Sequence, residues 1–103
     1  MKALATVALL VLAGCATAPP PAGTVRYRCE DGRTLTAVWQ TEPRRVTITA
    51  GGMTETLDDA VMMSSVDYFA VRGDWPLRLN GSETLISQLS GFPERPYRQC
   101  RKV

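Results

Sequence analysis

Two short groups of side chains are the candidates for chemistry: the adjacent carboxylates of Asp58 and Asp59, and the adjacent hydroxyls of Ser64 and Ser65. The chain has no histidine and therefore lacks the commonest general base and the commonest metal ligand. Adjacent carboxylates rarely converge on one substrate bond, so a solvated turn is favoured over the acid and base of a glycosidase. Without histidine, a serine nucleophile would need a lysine as its base. The only lysine after residue 2 is Lys102, which is far along the chain from both serines. The sequence therefore predicts a protein that is not an enzyme and that has no metal, cofactor or small-molecule substrate.

The composition is typical of one small domain. The chain has 103 residues, of which 45% are hydrophobic, so it is too short for two ordinary domains and too apolar to be disordered. The lack of histidine excludes hydrolases with a histidine base and zinc sites that contain histidine. A net charge of +2 is too small to predict a nucleic-acid partner, which requires a clustered basic face.

The N-terminal residues have the pattern of an export signal. Lys2 precedes the apolar run Ala3–Ala13, which is far shorter than the roughly 20 residues of a membrane-spanning helix. The run leads into Leu-Ala-Gly-Cys, which looks like a bacterial lipobox. Residues 1–14 are therefore predicted to be a lipoprotein signal peptide, and Cys15 is predicted to carry the lipid. The alternative is an ordinary signal peptide in which this cysteine is incidental.

Residues 15–23 are predicted to tether the folded domain to the membrane. The three prolines at 19–21 favour a polyproline II conformation, which is stiff and does not pack into a core. More than one lipid chain on Cys15 gives stable anchoring. Ala16 resembles the residue that follows the cysteine in outer-membrane lipoproteins. We expect a location in the bacterial cell envelope, at the outer membrane and facing the periplasm.

The two remaining cysteines are Cys29 and Cys100, which bracket the domain. An exported chain folds in an oxidising compartment, so a disulfide between them is expected. Closing a loop of this length stabilises a domain by about 4 kcal/mol in the chain-entropy model. The alternative is a pair of free thiols.

The domain 24–103 is predicted to be all-β and antiparallel. Apolar and polar residues alternate at its start, with Val25, Tyr27 and Cys29 on one face. The same alternation recurs in two further strands, with Leu35, Ala37 and Trp39 on one face of the first and Val46, Ile48 and Ala50 on one face of the second. Turn signals every 8–12 residues or so favour a barrel or a sandwich.

Three dipeptides are predicted to form two-residue hairpin turns: Asp31-Gly32, Gly51-Gly52 and Asn80-Gly81. The last of these would separate a strand at Trp75–Leu79 from a strand at Ser82–Ile86. Leu57–Met63 is left open as a single helical turn. Trp39 and Trp75 are both expected in the core, because a domain of this size needs its large apolar side chains there.

The stretch Tyr27-Arg28-Cys29-Glu30-Asp31-Gly32-Arg33-Thr34-Leu35 resembles the first strands of the membrane-bound inhibitors of c-type lysozyme. Members of that family open with Tyr-x-Cys-x-x-Gly-x-x-Leu and end with an aromatic residue shortly before a second cysteine, as in Tyr97-Arg98-Gln99-Cys100. The resemblance covers Tyr27 to Cys100. It implies a small antiparallel β-barrel stapled by one disulfide.

The family's inhibitory loop is similar to the stretch Ser64 to Tyr68. Its Ser-Gly-x-x-Tyr motif enters the lysozyme cleft and blocks the catalytic carboxylates; here Ser65 stands where the family has glycine. The family also has a basic residue further along, which corresponds to Arg78 or, in another alignment, to Asn80. Arg78 is preferred because a guanidinium can bind a carboxylate through two parallel hydrogen bonds. The implied lysozyme-binding residues are Ser64, Ser65, Asp67, Tyr68 and Arg78.

The resemblance implies a lipid-anchored periplasmic protein whose partner is a c-type lysozyme. The segment Glu55–Asp74 has five acidic residues and one basic residue, a charge pattern that would steer a basic partner such as lysozyme. Ordinary surface charge is the alternative explanation of that segment. Two other functions remain as hypotheses: a structural envelope lipoprotein with the same scaffold and no lysozyme inhibition, and, more remotely, a glycosidase that uses Asp58 or Asp59.

Overall fold

A computed structural model describes residues 22–61 and 65–103, and these residues form eight antiparallel strands. Each strand pairs with the next, and β8 pairs with β1 to close a barrel. The prediction of a small all-β antiparallel barrel stapled by one disulfide is confirmed. The strands are β1 (Thr24–Arg28), β2 (Thr34–Thr41), β3 (Arg44–Ala50), β4 (Met53–Asp59), β5 (Tyr68–Arg72), β6 (Trp75–Gly81), β7 (Leu85–Ser90) and β8 (Tyr97–Lys102).

Several sequence predictions lie outside the described residues. These are the signal peptide, the lipidated Cys15 and the tether as far as residue 21, together with Met62, Met63 and Ser64. Within the described part of the chain, no helix is long and apolar enough to cross a membrane.

The core of the barrel follows the predicted alternation. Tyr27, Leu35 and Ala37 are buried, and so are Val46 and Ile48 on the next strand. Successive side chains of a strand point to opposite faces, so the polar residues between them lie on the outer surface. The inner face of each of these strands is therefore the one the sequence predicts.

The disulfide joins Cys29, just after β1, to Cys100 on β8. Both cysteines are buried, and the bond spans 71 residues of chain. It fixes the strands that close the barrel. The pairing expected from the cysteine count is confirmed, and the alternative of two free thiols is not.

The Gly51-Gly52 turn lies where it was predicted, between β3 and β4. Both glycines have positive φ, +59° and +79°, as a tight hairpin turn with the twist of the strands requires. The prediction at Asp31-Gly32 is only partly right, because the turn is longer. Cys29 donates a backbone hydrogen bond to the carbonyl of Arg33 across it.

The predicted turn at Asn80-Gly81 is wrong. These two residues end β6, and the chain reverses only at residues 82–84, where the Ser82 N–H bonds the Leu85 carbonyl. The register between β6 and β7 shifts at Asn80 and Gly81, which marks a bulge. Gly81 suits this bulge because its φ of +132° is one that residues with side chains rarely adopt.

The helical turn considered for Leu57–Met63 does not form in the part that the structure describes. β4 continues through Asp59, which pairs with Tyr68 of β5. Pairing on both sides of this strand outweighs the weak helical pattern of seven residues, because each ladder satisfies backbone groups that an isolated helical turn leaves open.

Candidate functional site

The chain between β4 and β5, residues 60–67, carries the stretch that resembles the inhibitory loop, and we call it the β4–β5 connection. Its two ends meet, because the Ala60 N–H donates a hydrogen bond to the Asp67 carbonyl at 3.0 Å. Ala60 and Val66 are buried, whereas Val61 and Ser65 are exposed. The described part of the connection therefore has apolar anchors at its base and presents Ser65 to solvent.

Asp67 attaches this connection to β6. Its backbone N–H lies 3.0 Å from the Leu79 carbonyl and 3.2 Å from the side-chain oxygen of Asn80. Its carboxylate accepts a hydrogen bond of 2.7 Å from the Gly81 N–H. A hydrogen bond to a carboxylate is stronger than a neutral one. Asp67, which the resemblance implies to be a lysozyme contact, thus binds its own barrel at three points.

Ser65 and Arg78 line one hollow of about 310 Å³ on the outer surface. Leu77 and Leu79 of β6 are fully buried, so the strand turns Arg78 outward between them. The remaining lining residues are Val66, Asn80, Gln88 and Ser90. The structure therefore brings together two of the residues implied by the resemblance, and it places the alternative residue, Asn80, in the same hollow.

Arg78 is the one positively charged side chain among the described residues that line this hollow. Register pairing places it opposite Phe69 on one side and Ser90 on the other, and neither residue carries charge. Among the described residues its guanidinium forms no ion pair and no hydrogen bond. The base of the neighbouring strand β5, Arg72, is engaged by Glu55 at 3.2 Å. Among the residues that the structure describes, no carboxylate of the chain itself therefore occupies Arg78.

Tyr68 is not brought into the hollow. Its side chain is 4% exposed and points into the barrel, where its ring meets that of Trp39 edge to face at a centroid distance of 5.6 Å. The Arg44 guanidinium covers the Tyr68 ring at 4.8 Å. Tyr68 therefore supports the end of the β4–β5 connection from inside.

The paired carboxylates do not form an acid–base site. Asp58 and Asp59 point to opposite sides of β4. Each has its own arginine partner, Arg45 at 3.3 Å and Arg44 at 3.1 Å. They lie on a strand rather than in the predicted turn. Among the described residues, no group of three or more potential ligands is placed to hold a metal ion.

Trp75 is a surface residue, and its expected place in the core is wrong. Its side chain is 61% exposed, and its indole N–H donates a hydrogen bond of 2.6 Å to the Gly91 carbonyl. Trp75 and Arg78 border a second hollow of about 290 Å³, which adjoins the first at Arg78 and Ser90. The sequence signal for this position is Gly73-Asp74, which forms the turn directly before Trp75, the first residue of β6.

Gln88 and Ser90 complete the site, and sequence analysis missed both. The strand that bears them is interrupted by the bulge opposite Gly81, so its alternation does not show which residues face outward.

In comparisons with known proteins, no family model matches the chain, and no curated protein or solved structure matches it.

Proposed function

We propose that this protein is a lipid-anchored periplasmic inhibitor of c-type lysozyme. The observation that carries the proposal is the hollow that Ser65 and Arg78 share on the outer surface. Arg78 gives this hollow a positive charge. The proposal requires a positive charge because the active site of a lysozyme contains two carboxyl groups. The sequence resemblance over Tyr27 to Cys100 supplies the identity of the partner.

Inhibition of this kind makes and breaks no covalent bond. The β4–β5 connection fills part of the cleft, and the hydroxyls of Ser64 and Ser65 hydrogen-bond one catalytic carboxyl group. Arg78 pairs with the other carboxyl group. A cation beside the general acid lowers the pKa of that acid, so the acid loses the proton it must donate. Substrate is excluded at the same time.

Arg78 is suited to this contact for an electrostatic reason. A base that is already paired must give up its partner before it binds another carboxylate, and that exchange gains little. Arg78 has no such partner among the described residues, so its full charge is available to a cleft that excludes water, where charged contacts contribute most.

Export and anchoring rest on two features of the chain. A buried disulfide is typical of proteins that fold in an oxidising compartment such as the periplasm. The lipobox-like sequence before Cys15 supplies the anchor, and the resemblance at Ala16 points to the outer membrane. An inhibitor held there would meet lysozyme before lysozyme reaches peptidoglycan.

The test is the lysis of a peptidoglycan suspension by a c-type lysozyme, with the oxidised full chain added in a nonionic detergent. We expect protection at about equimolar inhibitor. Arg78→Gln should weaken protection by about thirtyfold or more, since a charged contact desolvated in an interface contributes ~2 kcal/mol or more. Ser64→Ala and Ser65→Ala should each weaken it less.

Arg28→Gln is the matched control, because Arg28 is also an exposed strand arginine without an ion pair among the described residues, and it lies on another side of the barrel. It should protect as the parent chain does. If a folded, oxidised chain gives no protection at a large excess, the proposal is rejected, and the scaffold is then better explained as a structural envelope lipoprotein.

A further inference from the structure

The two strands that close the barrel, β1 and β8, carry five basic side chains and no acidic one. All five are exposed. Four of them lie on the outer side of the barrel, and we call these the basic face: Arg26, Arg28, Arg98 and Arg101. Lys102 is the register partner of the buried Tyr27 and points to the other side of β8. Elsewhere on the barrel, basic residues are mostly paired with aspartate or glutamate, as Arg44 and Arg45 are.

Charge on the basic face is not compensated within the described residues. Register pairing sets Arg28 directly opposite Arg101, and like charges in that position destabilise a sheet. Lys102, on the other side of β8, has its own acidic partner in Glu83 at 3.2 Å. The neighbouring residues on β2 and β7 that pair with this face are uncharged; they are Thr34, Thr36, Leu85 and Gln88. A repulsive arrangement of this kind is relieved when an anion binds.

A hollow of about 430 Å³ lies beside Arg26 and Arg28 and is lined in part by the hydroxyl residues Thr34 and Thr36. Guanidinium and hydroxyl groups are donors that bind phosphate oxygens. The face thus offers both charge and a recess with hydrogen-bond donors.

The position of the face in the chain points to a membrane. β1 begins at Thr24, directly after the tether, so the face belongs to the strand nearest the proposed anchor. An extended tether over 15–23 reaches at most ~30 Å, which keeps the barrel close to the bilayer. The seam between β8 and β1 lies opposite the seam between β4 and β5 in the closed barrel.

We propose that the basic face docks on the anionic phospholipid headgroups of the bilayer that holds the lipid anchor. The tether raises the effective concentration of headgroups at the face, so a weak charge attraction is enough to hold it there. Docking leaves the β4–β5 connection on the side of the barrel away from the membrane. The proposal rests on the membrane attachment in the proposed function and not on the lysozyme contact. Export favours a lipid surface over a nucleic acid, the other common polyanion.

The experiment uses the full chain, reconstituted into vesicles of phosphatidylcholine alone or with about 30% phosphatidylglycerol. Exposed arginines are labelled with phenylglyoxal, which modifies guanidinium groups, and each labelling rate is read by mass spectrometry. We expect the rates at Arg28 and Arg101 to fall about tenfold in the anionic vesicles and to recover in about 0.5 M NaCl. Arg78 is the internal control, and its rate should not change.

A double variant tests the face through the labelling of a third arginine, which the substitutions leave in place. Arg28→Gln with Arg101→Gln should abolish the protection of Arg26 by anionic vesicles, whereas Arg78→Gln should leave it intact. Removing a repulsive pair is not expected to unfold the barrel, and urea unfolding checks this.

Three results would overturn the proposal. Equal labelling of Arg28 in both kinds of vesicle would show that the face does not touch the headgroups. Protection by soluble polyglutamate but not by anionic vesicles would assign the face to an acidic protein. If the chain is lost from both kinds of vesicle, the membrane attachment itself is absent. This failure is distinct from a failure to inhibit lysozyme, which the lysis assay detects.

Discussion

The carboxylate of Asp67 accepts a hydrogen bond of 2.7 Å from the backbone N–H of Gly81. This contact joins the end of the β4–β5 connection to the last residue of β6, the strand that carries Arg78. It therefore fixes Ser65 relative to Arg78, although Asp67 itself does not line their hollow. Ser65 and Arg78, both proposed to contact lysozyme, thus depend on a residue that holds them in place.

Asp67→Ala should lower both the stability of the barrel and the affinity for lysozyme. Loss of a charge-assisted hydrogen bond costs about 1–3 kcal/mol. Asp67→Asn should retain most of both properties, because its amide oxygen can still accept from Gly81. Urea unfolding gives the first quantity and the lysis assay gives the second. If Asp67→Ala loses stability but keeps full inhibition, Asp67 does not position the site.

Gly81→Ala should be among the most destabilising small substitutions in the chain. A Cβ at this position would lie 2.3 Å from the Leu85 carbonyl oxygen, and φ is +132°. Both effects together should exceed about 3 kcal/mol. Gly73→Ala is the matched control: its φ is +63°, and nothing lies within 4 Å of the added carbon. It should cost only about 1 kcal/mol. Equal losses in the two variants would contradict the close approach at Gly81.

Much of the barrel could be predicted from local patterns. The alternation at Tyr27, Leu35 and Ile48 assigns the inner face of each strand directly, because the side-chain period of a strand is fixed. The Gly51-Gly52 turn follows from the need for positive φ at both positions. The disulfide was predicted from the two cysteines that remain if the chain is exported and Cys15 is lipidated.

The candidate site was harder to predict because it depends on contacts between distant residues. Asn80-Gly81 has the sequence of a tight turn, but the bond from Gly81 to Asp67 keeps it within β6. Because Asn80-Gly81 stays within β6, the register of β7 shifts, and this register decides which residues of β7 reach the hollow. Arg78 could be selected by its chemistry, but its place beside Ser65 required the register between β5 and β6.

Removing the disulfide should cost a large share of the stability of the domain. The bond spans 71 residues, for which chain entropy gives about 4 kcal/mol. Cys29→Ser with Cys100→Ser avoids a lone thiol that would form disulfides between chains. Urea unfolding of this variant, beside the parent with and without reductant, measures the effect. The variant and the reduced parent should agree, and a loss below about 1 kcal/mol would contradict the estimate.

Tyr27 should make the barrel lose stability in strongly alkaline solution. Burial raises the pKa of its phenol from 10.0 to about 12, against the lowering effect of the Trp39 indole N–H, and the charge of Glu83 raises it further. The unfolded chain releases this proton near pH 10, whereas the folded chain keeps it until about pH 12. The free energy of unfolding is therefore maintained below about pH 10 and falls between pH 10 and pH 12, by up to ~3 kcal/mol.

Tyr27→Phe separates this titration from every other alkaline effect. It removes the hydroxyl that accepts from Trp39 at 2.9 Å and donates to the Glu83 carbonyl, so it should lower stability at neutral pH by about 1–2 kcal/mol. That loss does not change with pH, whereas the parent loses stability as its unfolded state ionises. The stabilities of the two proteins should therefore converge as the pH rises above about 10 and cross before about pH 12. Urea unfolding at a series of alkaline pH values measures both curves. If they remain parallel through that range, Tyr27 does not hold its proton more tightly in the barrel than in the unfolded chain.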